Sequence, residues 1–188
     1  MVSDPLVPSR GCGDCTVCCV VPAIDHEEIQ KHAGVRCPHA GQGCAIYETR
    51  PTPCREFFCA WRFIAGLGDE WRPDRSGILL WPDTREENGK KVPTVTVTLL
   101  RNEQANLASV PLIKFIAANI LEGRSLYLAK PGSPGLRPLR VQLNSPQMLA
   151  AAQRGPGPVR SILEQAWAFL GTQTPRPYGF SHTGHLME

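Results

Sequence analysis

Gly11-Cys12-Gly13-Asp14-Cys15-Thr16-Val17-Cys18-Cys19 is the stretch from which the organisation of this chain is read. Its C-x-x-C-x-x-C-C spacing, with Cys37, Cys44, Cys54 and Cys59, puts all eight cysteines of the 188-residue chain in its first third. Two residues between successive thiols let them turn back toward one centre. Gly11 and Gly13 permit the positive φ that such a tight turn requires. The same spacing logic serves zinc loops and iron–sulfur loops. Cys18 and Cys19 are a separate case. In extended backbone adjacent side chains point to opposite sides, so the pair is expected to diverge. Either they serve two sites, or one is a ligand and its neighbour packs or remains a free thiol.

Composition sets the frame for those thiols. No apolar run approaches the roughly 20 residues of a transmembrane helix, and the first ten residues have neither a basic nor an apolar leader pattern. The expectation is a cytoplasmic protein with no membrane attachment. In a reducing compartment eight cysteines point to metal or redox chemistry rather than to disulfides. The net charge of +3 is too mild to call for a nucleic-acid partner. Between Glu122 and Glu164 there is no acid, while Arg124, Lys130, Arg137, Arg140, Arg154 and Arg160 are all basic. Without interleaved aromatics this run reads as solvated surface with acids opposite it in space. A G-x-S-x-G elbow, a phosphate loop and H-E-x-x-H are all missing from the sequence, so any chemistry belongs to the cysteines.

Between the cysteines, residues 24–34 predict a short helix, with Asp25 and Glu28 as a capping box, Ile24 and Ile29 as a staple and Gly34 as the stop. His26 and His32 read as surface residues, since thiolates suffice for tetrahedral sites. Gly41 and Gly43 turn Cys44 back toward Cys37, and His39 on that loop is a candidate ligand or outer donor. Thr52 followed by Pro53 predicts a helix start that puts Cys54 in the first turn, where the helix dipole favours a thiolate. Cys59 falls about 140° further round a continuous helix, so the two sulfurs meet only if the helix breaks. Phe57, Phe58 and Trp61 offer an apolar cover. Of the nearby cations Arg36, Arg50, Arg55 and Arg62, we expect Arg50 and Arg55 to offset thiolate charge.

Two phrases carry a resemblance: Cys12-x-x-Cys15-x-x-Cys18-Cys19, and Gly43-Cys44-x-Ile46-Tyr47-x-x-Arg50-Pro51-x-x-Cys54-Arg55-x-Phe57-x-Cys59-x-Trp61. Over residues 11–62 the chain resembles the zinc- or iron-chelating CxxCxxCC family, the YkgJ-like cysteine cluster proteins. The resemblance implies a bacterial protein whose eight cysteines, Cys12, Cys15, Cys18, Cys19, Cys37, Cys44, Cys54 and Cys59, bind a metal or cluster. It implies no reaction. A similar cysteine cluster in flagellin lysine methylases, associated with an iron–sulfur cluster, tilts the expected cofactor toward iron–sulfur over zinc. The expected role is electron transfer or another redox reaction with a protein partner. The alternative is a structural zinc module in a binding protein.

Beyond residue 65 there is no further cysteine. Strands are predicted over 78–81 and 92–100, turning at Asn88-Gly89, and then over 125–129 and 139–143. Helices are predicted over 109–123, 147–153 and 159–170. The whole reads as α+β: a metal- or cluster-held module over 11–65, packed on a small, mostly antiparallel sheet with covering helices over 66–170. Flexible tails are expected over 1–10 and 171–188.

Overall fold

The computed structural model describes residues 6–87 and 89–181. The fold is α+β, and the chain forms two compact units. The first takes the chain up to Ser76, together with Pro131–Pro138 and the residues from Pro175 onward. The second is Gly77–Lys130 with Leu139–Thr174.

The cysteine-bearing unit is built from short pieces. A single turn, α1 (Val17–Val20), leads to the hairpin of β1 (Ile24–His26) and β2 (Ile29–Lys31) and then to the two-residue strands β3 (Ala40–Gly41) and β4 (Gly43–Cys44). A 3-10 turn at Tyr47–Thr49 precedes α2 (Thr52–Glu56). Further 3-10 turns at Ala60–Arg62 and Asp69–Trp71 lead to α3 (Pro73–Ser76).

The helix expected over 24–34 is instead this hairpin, with His26 opposite Ile29. Each supposed cap has another partner. The Asp25 carboxylate accepts from the Ser181 N–H at 2.8 Å and from its hydroxyl at 2.5 Å. The Glu28 carboxylate accepts from the Thr52 N–H at 2.8 Å and hydroxyl at 2.5 Å. Pairing as a strand also buries Ile29, Gln30 and Lys31 together, which one face of a helix would not do.

Segments with weak sequence pattern are held by backbone bonds. The Val7 N–H donates to the Arg62 carbonyl at 2.9 Å. The Tyr178 N–H donates to Gly135 and the Arg137 N–H to Arg176, both at 2.8 Å. Residues 1–5 and 182–188 of the expected tails lie outside the described residues.

The sheet unit follows its sequence pattern closely. Strands β5 (Ile78–Glu87), β6 (Lys90–Leu99), β7 (Ser125–Lys130) and β8 (Leu139–Gln142) form one sheet in chain order. β6 and β7 pair in parallel, and the other two ladders are antiparallel. The parallel step is made through α4 (Glu103–Leu107) and α5 (Val110–Leu121), as parallel neighbours require a crossover.

β7 is buried from Ser125 to Ala129 on both faces, as a central strand beside a parallel neighbour is expected to be. α5 and α7 (Pro156–Gly171) pack on β7, and both pack on α6 (Pro146–Arg154). β5 runs past Pro82, where it was expected to end, because β5 is an edge strand and a missing N–H there costs no ladder bond. Asn88 of the predicted turn lies outside the described residues, while the register pairs Glu87 with Lys90.

The basic run of this half of the chain is spread over local partners. Arg124 pairs with Glu122 at 2.9 Å, Arg160 with Glu164 at 2.8 Å and Arg140 with Asp83 at 3.7 Å, while Lys130 lies over Trp167. Among the described residues no helix is long and apolar enough to cross a membrane.

Candidate functional site: a two-part thiol cage

All eight cysteines are free and half-buried, and all lie in one unit. Backbone bonds bring their segments together. The Cys15 N–H donates to the Cys12 carbonyl at 3.0 Å, and the Cys37 N–H donates to the Cys19 carbonyl at 2.9 Å. Cys44 lies opposite Ala40 in the β3–β4 ladder, and the Ala40 N–H donates to the Cys37 carbonyl at 3.0 Å, which turns Cys44 back toward Cys37 as expected.

Cys18 and Cys19 sit together on α1, where successive side chains are about 100° apart rather than opposed. The opposed arrangement expected from extended backbone is therefore not the one adopted. The Cys18 thiol donates a hydrogen bond to Cys19. That bond raises the Cys18 pKa and lowers that of Cys19. Beyond this contact the two sulfurs have different surroundings. After Cys19, the sulfurs acting on Cys18 are those of Cys12 and Cys15, whereas Cys19 faces the cations Lys31, Arg36 and Arg50.

The same division separates Cys54 from Cys59. α2 ends at Glu56, and Phe57 is extended with φ −83° and ψ 121°, so the helix breaks between the two thiols. Burial pushes Cys54 up to about 11, and Cys37, Cys19 and Cys44 push it further in the same direction. Burial likewise pushes Cys59 up to about 11, but here the contributing sulfurs are Cys12 and Cys15. Cys54 is thus in the first turn of a helix, as expected, without the depressed pKa expected of that position. A five-residue helix whose thiol is buried among other thiols offers too little dipole to offset desolvation.

The charge interactions thus group Cys12, Cys15, Cys18 and Cys59 as a first set and Cys19, Cys37, Cys44 and Cys54 as a second. Among the described residues, no three Cys, His, Asp or Glu side chains stand close enough to hold one ion as they lie.

The cations are distributed between the two parts. Arg62 is 7% exposed, and its Nη1 donates to Cys12 Sγ at 3.5 Å. Arg50 acts on Cys19 and Cys54 while its guanidinium stacks 3.7 Å from the Tyr47 ring. Arg55 bonds to the Thr52 hydroxyl at 3.0 Å, on the Glu28 side. His39 enters through its carbonyl, which accepts the Ala45 N–H at 2.8 Å. Trp61 is buried, with its Nε1 donating to the Gly68 carbonyl at 3.0 Å, while Phe57 and Phe58 are half-buried.

Two features were missed in the sequence. Lys31, placed there on the short helix expected over 24–34, is completely buried beside the second set. Asp74 accepts a hydrogen bond from the Cys15 thiol and is held by Arg72, which also reaches Asp14 at 2.6 Å. The one available signal for Lys31 was its alternation with Ile29 across Gln30, a strand pattern that the capping residues outweighed. No family model, curated protein or solved structure matches this chain.

Proposed function

We propose that this chain is a cytoplasmic iron–sulfur protein of the cysteine-cluster type, whose N-terminal unit binds its centre through the two thiol sets and passes electrons to a protein partner. One observation carries the metal reading. Among the described residues, the buried apolar side chains of the cysteine-bearing unit are Ile29, Ala33, Ala60, Trp61, Leu67 and Trp71, with the prolines Pro22 and Pro73, whereas the sheet unit buries 21. A unit with so small an apolar core is ordinarily reinforced by disulfides or a metal, and its cysteines are free.

The donors suit such a centre. They are thiols alone, largely desolvated, with Arg62 beside one set and Lys31, Arg36 and Arg50 beside the other. These cations would offset the negative charge that four thiolates bring. Bound there, a cluster would supply one-electron chemistry. Metal binding releases the thiol protons and couples to ordering of the ligand loops. The sulfurs would close on their centre in that step.

A structural zinc module in a non-enzymatic binding protein is the second reading. It is favoured by four large apolar side chains exposed on the helices of the sheet unit: Val110, Leu121, Leu149 and Phe169.

The absorption spectrum of protein purified without oxygen separates the two. Brown protein with visible bands that bleach on reduction is expected. A colourless protein holding zinc and no acid-labile sulfide would replace the first reading by the second.

A further inference from the structure

We infer that Lys31 positions the second thiol set: its ammonium fastens the segment carrying Cys19 to the segment carrying Cys37 and places a fixed positive charge beside their sulfurs. The side chain is 0% exposed. Its Nζ donates to the carbonyls of Val20 at 3.0 Å, Pro22 at 2.7 Å, His32 at 3.0 Å and Val35 at 3.0 Å. An ammonium has three protons, so one of them is shared between two carbonyls.

The four acceptors fall on two segments. Val20 and Pro22 lie one and three residues after Cys19, and Val35 lies two before Cys37, while His32 is the neighbour of Lys31 itself. Two backbone bonds run across the same seam, from the Gly34 N–H to the Val20 carbonyl and from the Cys37 N–H to the Cys19 carbonyl, each 2.9 Å. Lys31 reaches this seam because strand pairing sets it opposite Ile24 at the end of the β1–β2 hairpin.

A buried cation is retained where partners oppose its desolvation; burial lowers Lys31 to about 8, and four carbonyl oxygens accept from its ammonium against that cost. The sulfurs that act on it most are Cys37, Cys19, Cys18 and Cys54, three of them from the second set. The inference rests on the metal reading for what the set binds, but not for the clasp itself.

The test uses the full reduced chain and Co(II) as the probe, followed by its thiolate charge-transfer absorption. The wild type is expected to take up cobalt at both sets. Lys31→Met is expected to weaken uptake at the second set about 10- to 100-fold, as loss of a partner behind the ligands does, and to leave the first set unchanged. Cys44→Ser and Cys59→Ser identify which uptake step belongs to which set. Lys31→Arg, which retains the charge, is expected to recover part of the loss.

In the metal-free chain, hydrogen exchange at the Gly34 and Cys37 amides is expected to accelerate in Lys31→Met, with the Val97 and Leu128 amides of the sheet unit reporting that the variant is folded. Equal weakening at both sets, or unchanged uptake and unchanged amide protection, would overturn the inference. A wild-type chain that takes up no cobalt would remove the metal reading instead, and the Gly34 and Cys37 amides would then decide the clasp on their own.

Discussion

Gly43 lies so close to Gly13 that a β-carbon built on it would meet the Gly13 carbonyl oxygen at 2.5 Å. The contact joins the loop of the first four cysteines to the β3–β4 turn that carries Cys44. Gly43 also has φ +104°, a conformation that side chains rarely adopt. Gly43→Ala meets both obstacles, and backbone strain of this kind costs about 1–3 kcal/mol. The variant is expected to lose that much stability in urea unfolding of the cysteine-bearing unit. Gly41→Ala, which meets nothing within 4 Å, is the control and should change little.

The first ten residues contribute an anchor. Arg10 donates to the carbonyls of Trp61, Ile64, Ala65 and Leu67, and its guanidinium lies 5.3 Å from the Trp61 ring centroid. Removing this charged donor takes a partner from four carbonyls, although Ile64 keeps the Leu67 N–H, and a hydrogen bond to a charged group contributes about 1.5–3 kcal/mol. Arg10→Ala is therefore expected to destabilise the 61–67 loop by about 2 kcal/mol. Limited proteolysis should then cut within that loop faster than in the wild type, and equal cutting would contradict the anchor.

How much of this was legible in the sequence depends on where the pattern arises. Val95, Val97 and Leu99 alternating with threonines, and the apolar stripe of α5 after Ser109, gave the sheet unit almost element by element, because there burial itself imposes the period. The cysteine-bearing unit has little apolar core, so its order comes from single polar contacts that leave no period. Asp25 and Glu28 match a capping box by spacing, but their carboxylates reach Ser181 and Thr52, far away in sequence. The eight thiols were legible as a group. Their division was not, since it depends on a break after Glu56 and on one helical turn at Cys18-Cys19.

Acid sensitivity follows from Asp74. The Arg72 guanidinium hydrogen-bonded to it holds its carboxyl below the ordinary 3.8. A carboxyl depressed by folding contributes stability that is complete above its unfolded pKa and is lost as pH falls through the folded value. Between pH 6 and 5 the stability gap between wild type and Asp74→Asn should be constant. Below about pH 4 it should shrink as the wild-type carboxyl takes up its proton. A gap that widens toward acid would contradict the assignment.

Thiol reactivity gives a test within α1. In the reduced, metal-free chain the hydrogen bond with Cys18 and the nearby cations lower Cys19, while burial pushes Cys54 and Cys59 up to about 11. Since the thiolate is the nucleophile, a short iodoacetamide pulse at pH 7 should label Cys19 ahead of Cys18, Cys54 and Cys59. Peptide mass spectrometry reads the order, and labelling of Cys18 before Cys19 would reverse the direction of the bond between them.

The central claim is that eight free thiols, not apolar packing, hold the cysteine-bearing unit together around metal. Quantifying iron, zinc and acid-labile sulfide per chain, on protein purified without oxygen, tests it most directly. The account predicts bound iron with matching sulfide, retained in part by Cys54→Ser and by Cys59→Ser singly and lost when both are replaced, because the two residues belong to different thiol sets. A folded chain carrying neither iron nor zinc, with all eight thiols open to titration, would contradict it.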